Sequence, residues 1–335
     1  MSAPGKPADL RAEDITIAVT VFSRRDFVLE AIQSALHQSV PVKVIVVEDC
    51  GPDPGLQEFV LRQFGTRIKY FRNPRNRGLF DNWNACLEYC ATPWISILHD
   101  DDLLLPSFVE TMLALAKAAP GRALYFGRSA LLEGDVVTPP PLAADWPQNW
   151  RDFDLASLAD ECPVFFPGQL MRVEAARAVG GFNAASFYTG DWDMWFRLAV
   201  RFGASQSATE VAAVRSHFGG DRGTTQIERK GWIWVLANVQ RKRNLALLLR
   251  EKGIALPFHR EKPLQWSPVS TALLLRHLDE YSDRVLRYNA RLFALSKPPH
   301  CGYAALQCLV RFFGPHILRI VAKLPLGKRF RNPAA

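Results

Sequence analysis

The chain reads as a doubly wound α/β protein, a mostly parallel sheet flanked by helices, with a helical C-terminal extension behind it. Three observations predict this. From Ile15 to Leu132, apolar and β-branched runs alternate with amphipathic segments, the pattern of buried parallel strands joined by helices. Three of the runs end in polar clusters, Phe22-Ser23-Arg24, Glu48-Asp49 and Asp100-Asp101-Asp102, and such sheets bind ligands beyond the carboxyl ends of their strands. A chain of 335 residues that is 48% hydrophobic can also bury a large core.

The order along the chain is βαβαβαβαβ. Strands are expected at Ile15–Phe22, Lys43–Glu48, Arg67–Phe71, Trp94–Leu98 and Ala123–Phe126. Helices are expected at Phe27–His37, Leu56–Phe64, Asn82–Cys90 and Pro106–Ala118, and Phe27, Ala31, Ile32 and Ala35 show the spacing that gives a helix one apolar face. A proline-rich stretch, Thr138-Pro-Pro-Pro141, leads into a loop with Trp146 and Trp150 and then to Gly180-Gly181-Phe182. A helix follows from Asp191 and a return strand leads to Val214-Arg-Ser-His217. From Thr225 the pattern is helical, with long helices expected over Trp232–Leu249 and Pro268–Leu295. The boundaries are a flexible terminus at 1–14, a main domain at 15–222 divided at 132/133, and a helical extension at 223–335.

Composition narrows the function. The net charge is +8, with 41 basic and 33 acidic residues, but ten of the basic residues and none of the acidic ones follow Asp283. The body is therefore nearly neutral and the basicity belongs to the tail. No nucleic-acid partner is expected, because that tail lacks a recognisable reading module. The six cysteines form no C-x-x-C pair, which argues against a zinc site or a disulfide framework and for reduced thiols. Residues 1–14 lack the apolar stretch of a secretory signal, so a cytoplasmic location is expected.

The chemistry concentrates in Ile95-Ser-Ile-Leu-His-Asp-Asp-Asp-Leu-Leu-Leu-Pro106. Three adjacent carboxylates at the end of a buried strand repel one another, and a hard divalent cation prefers oxygen ligands, so the triplet reads as a metal site. The alternative is that Asp102 caps the following helix while the other two are solvated. No G-x-G-x-x-G follows the first strand and no G-x-x-x-x-G-K-S/T occurs, which removes the usual phosphate cradles. A nucleotide would be held through a metal bridging its diphosphate, with Asp49 accepting hydrogen bonds from a base or ribose.

In this order the motifs resemble the family 2 glycosyltransferases, nucleotide-sugar-dependent enzymes of the GT-A fold, over roughly Ile15 to His217. Ile17-Ala-Val-Thr-Val-Phe-Ser-Arg-Arg-Asp-Phe27 is similar to the family's first strand and donor-binding turn. Val46-Val-Glu-Asp49 looks like its two-acid turn, Asn76-Arg-Gly78 like its Asn-x-Gly, and His99-Asp-Asp-Asp102 like its metal motif. Gly180-Gly-Phe182 and Asp191-Trp-Asp-Met-Trp195 look like the stretch that ends in its catalytic acid. The resemblance implies that 15–132 binds the nucleotide-sugar and 133–222 carries the acceptor and catalytic half. Thr20, Phe22, Asp49 and Gly78 fall in donor-binding segments, and Asp100 at the ribose or the outer shell of the metal. Asp101 falls at the principal ligand of Mn²⁺ or Mg²⁺, Arg215 near the diphosphate, His217 at a further metal ligand, and Asp191 at the general base. Two departures are His99, where many relatives have an acid, and Gly190, where most have Glu.

The implied reaction is an inverting sugar transfer from a nucleotide diphosphate, UDP or dTDP first, to a hydroxyl of a glycan or lipid-linked glycan in bacterial-type cell-surface polysaccharide synthesis. Trp192, beside the base, is the expected stacking platform for an acceptor sugar, while Trp146 and Trp150 either cover the acceptor cleft or pack. Asp191 alone would read as a helix cap, and the upstream motifs turn the reading to catalysis. In the tail, His316, Arg319 and Lys323 share one helical face and Ile317, Ile320, Val321 and Leu324 another. Peripheral association of 303–331 with an anionic membrane is therefore expected, against docking on the main domain. The competing class is a non-catalytic glycan-binding or scaffold module, which His99 and Gly190 would suit. A nucleotidyltransferase lacks its Gly-rich basic loop here.

Overall fold

The computed structural model describes residues 10–134, 136–142, 146–147, 149–160 and 162–216, with isolated positions at 244, 247, 250–252, 306, 308–310 and 317. His217 and, apart from those positions, the expected helices after Thr225 and the segment 303–331 lie outside the described residues. The chain forms two compact units, Met1–Asn183 with Asp191–Phe218, and Ala184–Gly190 with Gly219–Ala335. In the second, Ala184–Thr189 is a 3-10 turn in which Thr189 Oγ1 donates to the Ser186 carbonyl at 2.8 Å. Among the described residues no helix is long and apolar enough to cross a membrane.

The first unit begins with strand β1 (Ile15–Val21), all seven residues of which are buried, as a central strand covered on both faces requires. Helix α1 (Arg25–Leu36) buries Val28, Ala31, Ile32 and Ala35, with Val28 in place of the expected Phe27. Each fully buried Val or Ile of this kind contributes roughly 1.5–3 kcal/mol. Next come β2 (Lys43–Glu48), α2 (Leu56–Phe64), β3 (Lys69–Arg72), α3 (Leu79–Tyr89) and β4 (Trp94–His99). After β5 (Leu103–Leu104) and α4 (Phe108–Ala118) the chain enters β6 (Leu124–Glu133), which turns back through β7 (Val136–Thr138). The order then runs β8 (Trp150–Asp152), α5 (Leu155–Asp160), β9 (Gln169–Arg172), α6 (Val173–Ala178), α7 (Gly190–Phe202) and β10 (Ala204–Arg215).

One mixed sheet takes the order β3-β2-β1-β4-β9-β6-β10-β5, with β7 on β6 and β8 on β10. β3, β2, β1 and β4 are parallel, and so are β6 and β10, whereas β9 runs antiparallel between β4 and β6. The expected strand at Ala123–Phe126 is thus longer and is separated from β4 by a strand of four residues that sequence periodicity did not disclose. α3 starts at Leu79 rather than Asn82 because Gly78, at φ 80°, turns the chain immediately before it. α4 starts at Phe108, after Leu105 N has bonded the Val211 carbonyl at 2.8 Å and tied the preceding segment to β10.

The parallel registers set Thr20 beside both Val47 and His99, so the carboxyl ends of β1, β2 and β4 meet. Asp49 N bonds the Val21 carbonyl at 2.9 Å, and a Cβ on Gly51 would lie 1.6 Å from the Phe22 carbonyl oxygen. The turns after β1 and β2 therefore touch through backbone, which only glycine at position 51 permits.

Candidate active site

The acidic triplet leaves β4 at this convergence, and its three carboxylates have different partners. Asp100 accepts from the Phe22 backbone N–H and faces Arg24; burial pushes its carboxyl above the usual range, and the Arg24 charge opposes that rise. Asp101 is bonded by the guanidinium of Arg24, which also lies 3.9 Å from Asp100. Asp102 Oδ1 accepts from Arg215 N at 3.0 Å, and its Oδ2 lies 3.6 Å from His99 Nδ1. The helix-cap alternative for Asp102 fails on this geometry: its carboxylate is spent on β10, and α4 begins without a side-chain cap.

One ligand atom each from His99, Asp101 and Asp102 lies within 4.8 Å of the others. A divalent ion with oxygen or imidazole ligands at about 2.0–2.6 Å fits such a cluster. His99 Nε2 is buried and without a hydrogen-bond partner. Its ring stacks on Phe166 with centroids 4.1 Å apart and lies 5.5 Å from Trp83. The group differs from the expected one: Asp100 stands outside it, His99 and Asp102 join Asp101, and His217 lies outside the described residues.

The residues expected on the donor side hold their loops. Asp49 Oδ1 accepts from Asn73 Nδ2 at 2.9 Å and Arg77 N at 2.8 Å, and its Oδ2 accepts from Gly78 N at 2.8 Å. It is 4% exposed, so most of the hydrogen-bonding capacity expected to meet a base is already used on the Asn76–Gly78 turn. Thr20 Oγ1 donates to the Leu98 carbonyl at 3.3 Å, bridging β1 and β4. Phe22, 43% exposed, and Leu79, 54% exposed, are the apolar side chains open to solvent around these turns. Arg215, expected at a diphosphate, is committed elsewhere: Nε donates to the Asp101 carbonyl at 3.0 Å, Nη2 to Glu30, and the guanidinium lies 4.5 Å from the Phe27 ring centroid.

Asp191 lies at the start of α7, where Trp192 N donates to its Oδ1 at 2.7 Å. Burial raises its pKa; the Trp192 N–H and the nearby His99 oppose the rise without cancelling it. The opening of α7 is fixed by residues that sequence reading left unassigned. Arg197 pairs with Asp193 at 2.7 Å and donates to the carbonyls of Val179 at 2.6 Å and Gly181 at 2.8 Å. From α3, Asn84 Nδ2 donates to the Phe182 carbonyl at 2.9 Å and its Oδ1 accepts from Phe182 N at 2.8 Å. The Gly180-Gly-Phe182 turn is thus clasped from both sides. Its second glycine has φ 68°, and a Cβ there would lie 2.5 Å from Asn84 Oδ1.

Trp192 does not offer a stacking face. It is 6% exposed and its indole N–H donates to the Leu158 carbonyl at 2.6 Å, so the expected acceptor platform is a packed side chain. Trp195 is fully buried against Phe166, Phe182 and Phe126. Trp150 packs on the core and Trp146 carries the Arg151 guanidinium 3.6 Å from its ring centroid.

A mostly parallel, curled sheet with an acidic metal-type cluster at the end of its fourth strand defines a GT-A type α/β protein. S. aureus TarS 1-349, in its crystal structure in complex with UDP-GlcNAc, has the same fold. It matches with a TM-score of 0.55 at 13% identity, over 96% of this chain and 92% of that one. Residues 16–180 match the model of glycosyl transferase family 2, and that part of the chain belongs to the family. It is 24% identical over 230 residues to an uncharacterized glycosyltransferase of Rickettsia felis, covering 66% of this chain and 37% of the relative. It is 33% identical over 114 residues to the succinoglycan biosynthesis protein ExoO of Rhizobium meliloti, covering 34% and 32%. The chain spans about a third of the length of these curated relatives.

Proposed function

We propose that the protein is an inverting glycosyltransferase that moves a sugar from a nucleotide diphosphate, UDP or dTDP, to a hydroxyl of a glycan or lipid-linked glycan acceptor in cell-surface polysaccharide synthesis. The observation that carries the reading is the joining of strand ends: the His99, Asp101 and Asp102 cluster adjoins the turn after β1, inside the residues matched to the family. The UDP-GlcNAc complex of TarS and the succinoglycan role of ExoO support the donor and acceptor classes.

In this mechanism Asp191 takes the proton of the acceptor hydroxyl as its oxygen bonds the anomeric carbon, and the bond from that carbon to the diphosphate breaks on the opposite face. Its raised pKa makes it a stronger base than a solvated aspartate. Asp101, with Asp102 and His99, would hold Mn²⁺ or Mg²⁺, which when bound neutralises charge on the leaving diphosphate. Asp100 meets the ribose, and Thr20, Phe22 and Gly78 form the floor and rim of the donor site. The proposed cytoplasmic location rests on the scattered cysteines, and peripheral membrane attachment through 303–331 on the charge and apolar pattern of that segment.

The test is a transfer and donor-hydrolysis assay on the parent and Asp191→Asn across UDP- and dTDP-sugars. Turnover should fall about 10²–10⁴-fold with donor affinity unchanged. Near-normal turnover in the variant would remove Asp191 from the mechanism. No turnover by the parent with any donor would favour the non-catalytic glycan-binding reading.

A further inference from the structure

Arg24 is the last residue before α1, and its guanidinium bonds Asp101 while standing 3.9 Å from Asp100. The two carboxylates keep only 15% and 12% of their side-chain surface, whereas Arg24 keeps 36%. A partly exposed cation on a flexible stem thus sits on the carboxylate proposed to ligate a metal. Neighbouring arginines are differently engaged. Arg25 pairs with Asp53, Arg72 with Glu48 and the Gly51 carbonyl, Arg77 with Glu88, and Arg215 with Glu30 and the Asp101 carbonyl. Among these, Arg24 is the arginine whose side-chain partner is itself a candidate ligand.

We infer that Arg24 couples divalent-cation binding at Asp101 to nucleotide binding, giving up Asp101 to the cation and taking phosphate oxygens of the donor diphosphate instead. The inference rests on the donor-site reading above. Two cations competing for one carboxylate repel each other, so a metal alone must displace the guanidinium without compensation. A diphosphate arriving with the metal supplies a new partner that suits the planar fork of a guanidinium better than a single carboxylate oxygen does. Arg24 lies directly after Phe22-Ser23, within the turn where the donor is expected, so both exchange partners are proposed at the same strand ends. By linkage, metal and nucleotide then strengthen each other equally.

The experiment is Mn²⁺ titration of the full chain by calorimetry and by the electron paramagnetic resonance signal of free Mn²⁺, with and without UDP and dTDP, in the parent, Arg24→Gln and Arg24→Lys. The parent should bind Mn²⁺ weakly alone and about 5–150-fold more tightly with nucleotide, the usual size of such coupling. Arg24→Gln should bind Mn²⁺ alone more tightly than the parent and lose most of the nucleotide effect, and Arg24→Lys, which keeps the charge, should restore part of it. A residue with only a structural role would change both affinities together and leave the coupling intact. Equal nucleotide effects in parent and Arg24→Gln would overturn the assignment of Arg24 and leave the donor site standing. If neither nucleotide bound with Mn²⁺ in any of the three proteins, the donor-site reading would fall and this inference with it.

Discussion

As the proposed base, Asp191 carries two opposed demands on one side chain. The residue must be deprotonated to accept a proton, yet its burial favours the protonated form and raises its pKa above the 3.8 of a free aspartate. For activity the sign is direct: turnover should fall as pH drops through the raised value, so the acid limb of the kcat/KM profile lies above the ordinary carboxylate range. For stability the sign reverses. A folded pKa above the unfolded one means that the folded state holds the proton more tightly, so the stabilising contribution is complete below the unfolded value and is lost as pH rises through the folded one. At neutral pH the ionised Asp191 therefore weakens the fold, and Asp191→Asn should be more stable than the parent by about 0.5–2 kcal/mol, the size common for a single stabilising substitution. Urea denaturation at pH 7 and at low pH would check this. An equal or lower stability at neutral pH would mean that the carboxylate is well compensated and that its pKa is not raised. The sequence made the helix start at Asp191 legible, because the Asp-Trp-Asp-Met-Trp pattern is local. It misassigned Trp192, because a tryptophan written beside a candidate base looks the same whether its ring faces a cleft or, as here, is buried with its N–H on the Leu158 carbonyl.

At the scale of elements, the position of α7 depends on the clasp around Gly180-Gly-Phe182. Asn84 satisfies both backbone groups of Phe182 from a helix 98 residues earlier in sequence, and Arg197 satisfies the two carbonyls on the other side. Asn84→Ala would leave a partly buried N–H and carbonyl without partners, which costs about 1–3 kcal/mol. The start of α7, and Asp191 with it, would then be less firmly held. The expected result is a lower Tm together with a kcat loss that exceeds any rise in donor KM, since the Asn76–Gly78 turn is anchored by Asp49 instead. A loss confined to donor KM would show that the clasp serves the nucleotide side. Helix and strand positions were legible from periodicity, because burial of Val28, Ala31, Ile32 and Ala35 leaves a repeating trace in the sequence. The two-residue β5 and the four-residue β9 leave no such trace, and the partnership of Asn84 with Phe182 is set by tertiary approach alone.

Taken as a whole, the molecule assembles its candidate donor site from β1, β2, β4, the Asn76–Gly78 turn and the end of β10, elements that are distant in sequence and adjacent in the sheet. The first three strand ends could be read from the sequence because polar clusters interrupt apolar runs there. A return strand ending near Arg215 was expected too, but the bond from Arg215 N to Asp102 could not be, because it depends on β10 pairing with β5 next to the acidic triplet. A ligand that bridges so many elements should stabilise the whole unit rather than one loop. At a hundredfold excess over Kd, a nucleotide diphosphate with Mn²⁺ should add about 2.7 kcal/mol, which for a domain of roughly 200 residues corresponds to a Tm increase of about 5–10 °C. Chelation with EDTA should abolish most of that increase, and Asp101→Ala should abolish it with the metal present. Stabilisation by nucleotide that survives both EDTA and Asp101→Ala would keep the nucleotide and discard the metal. A parent whose Tm no nucleoside diphosphate moves would show that the converging strand ends are not a donor site, and would transfer the problem to the glycan-binding reading.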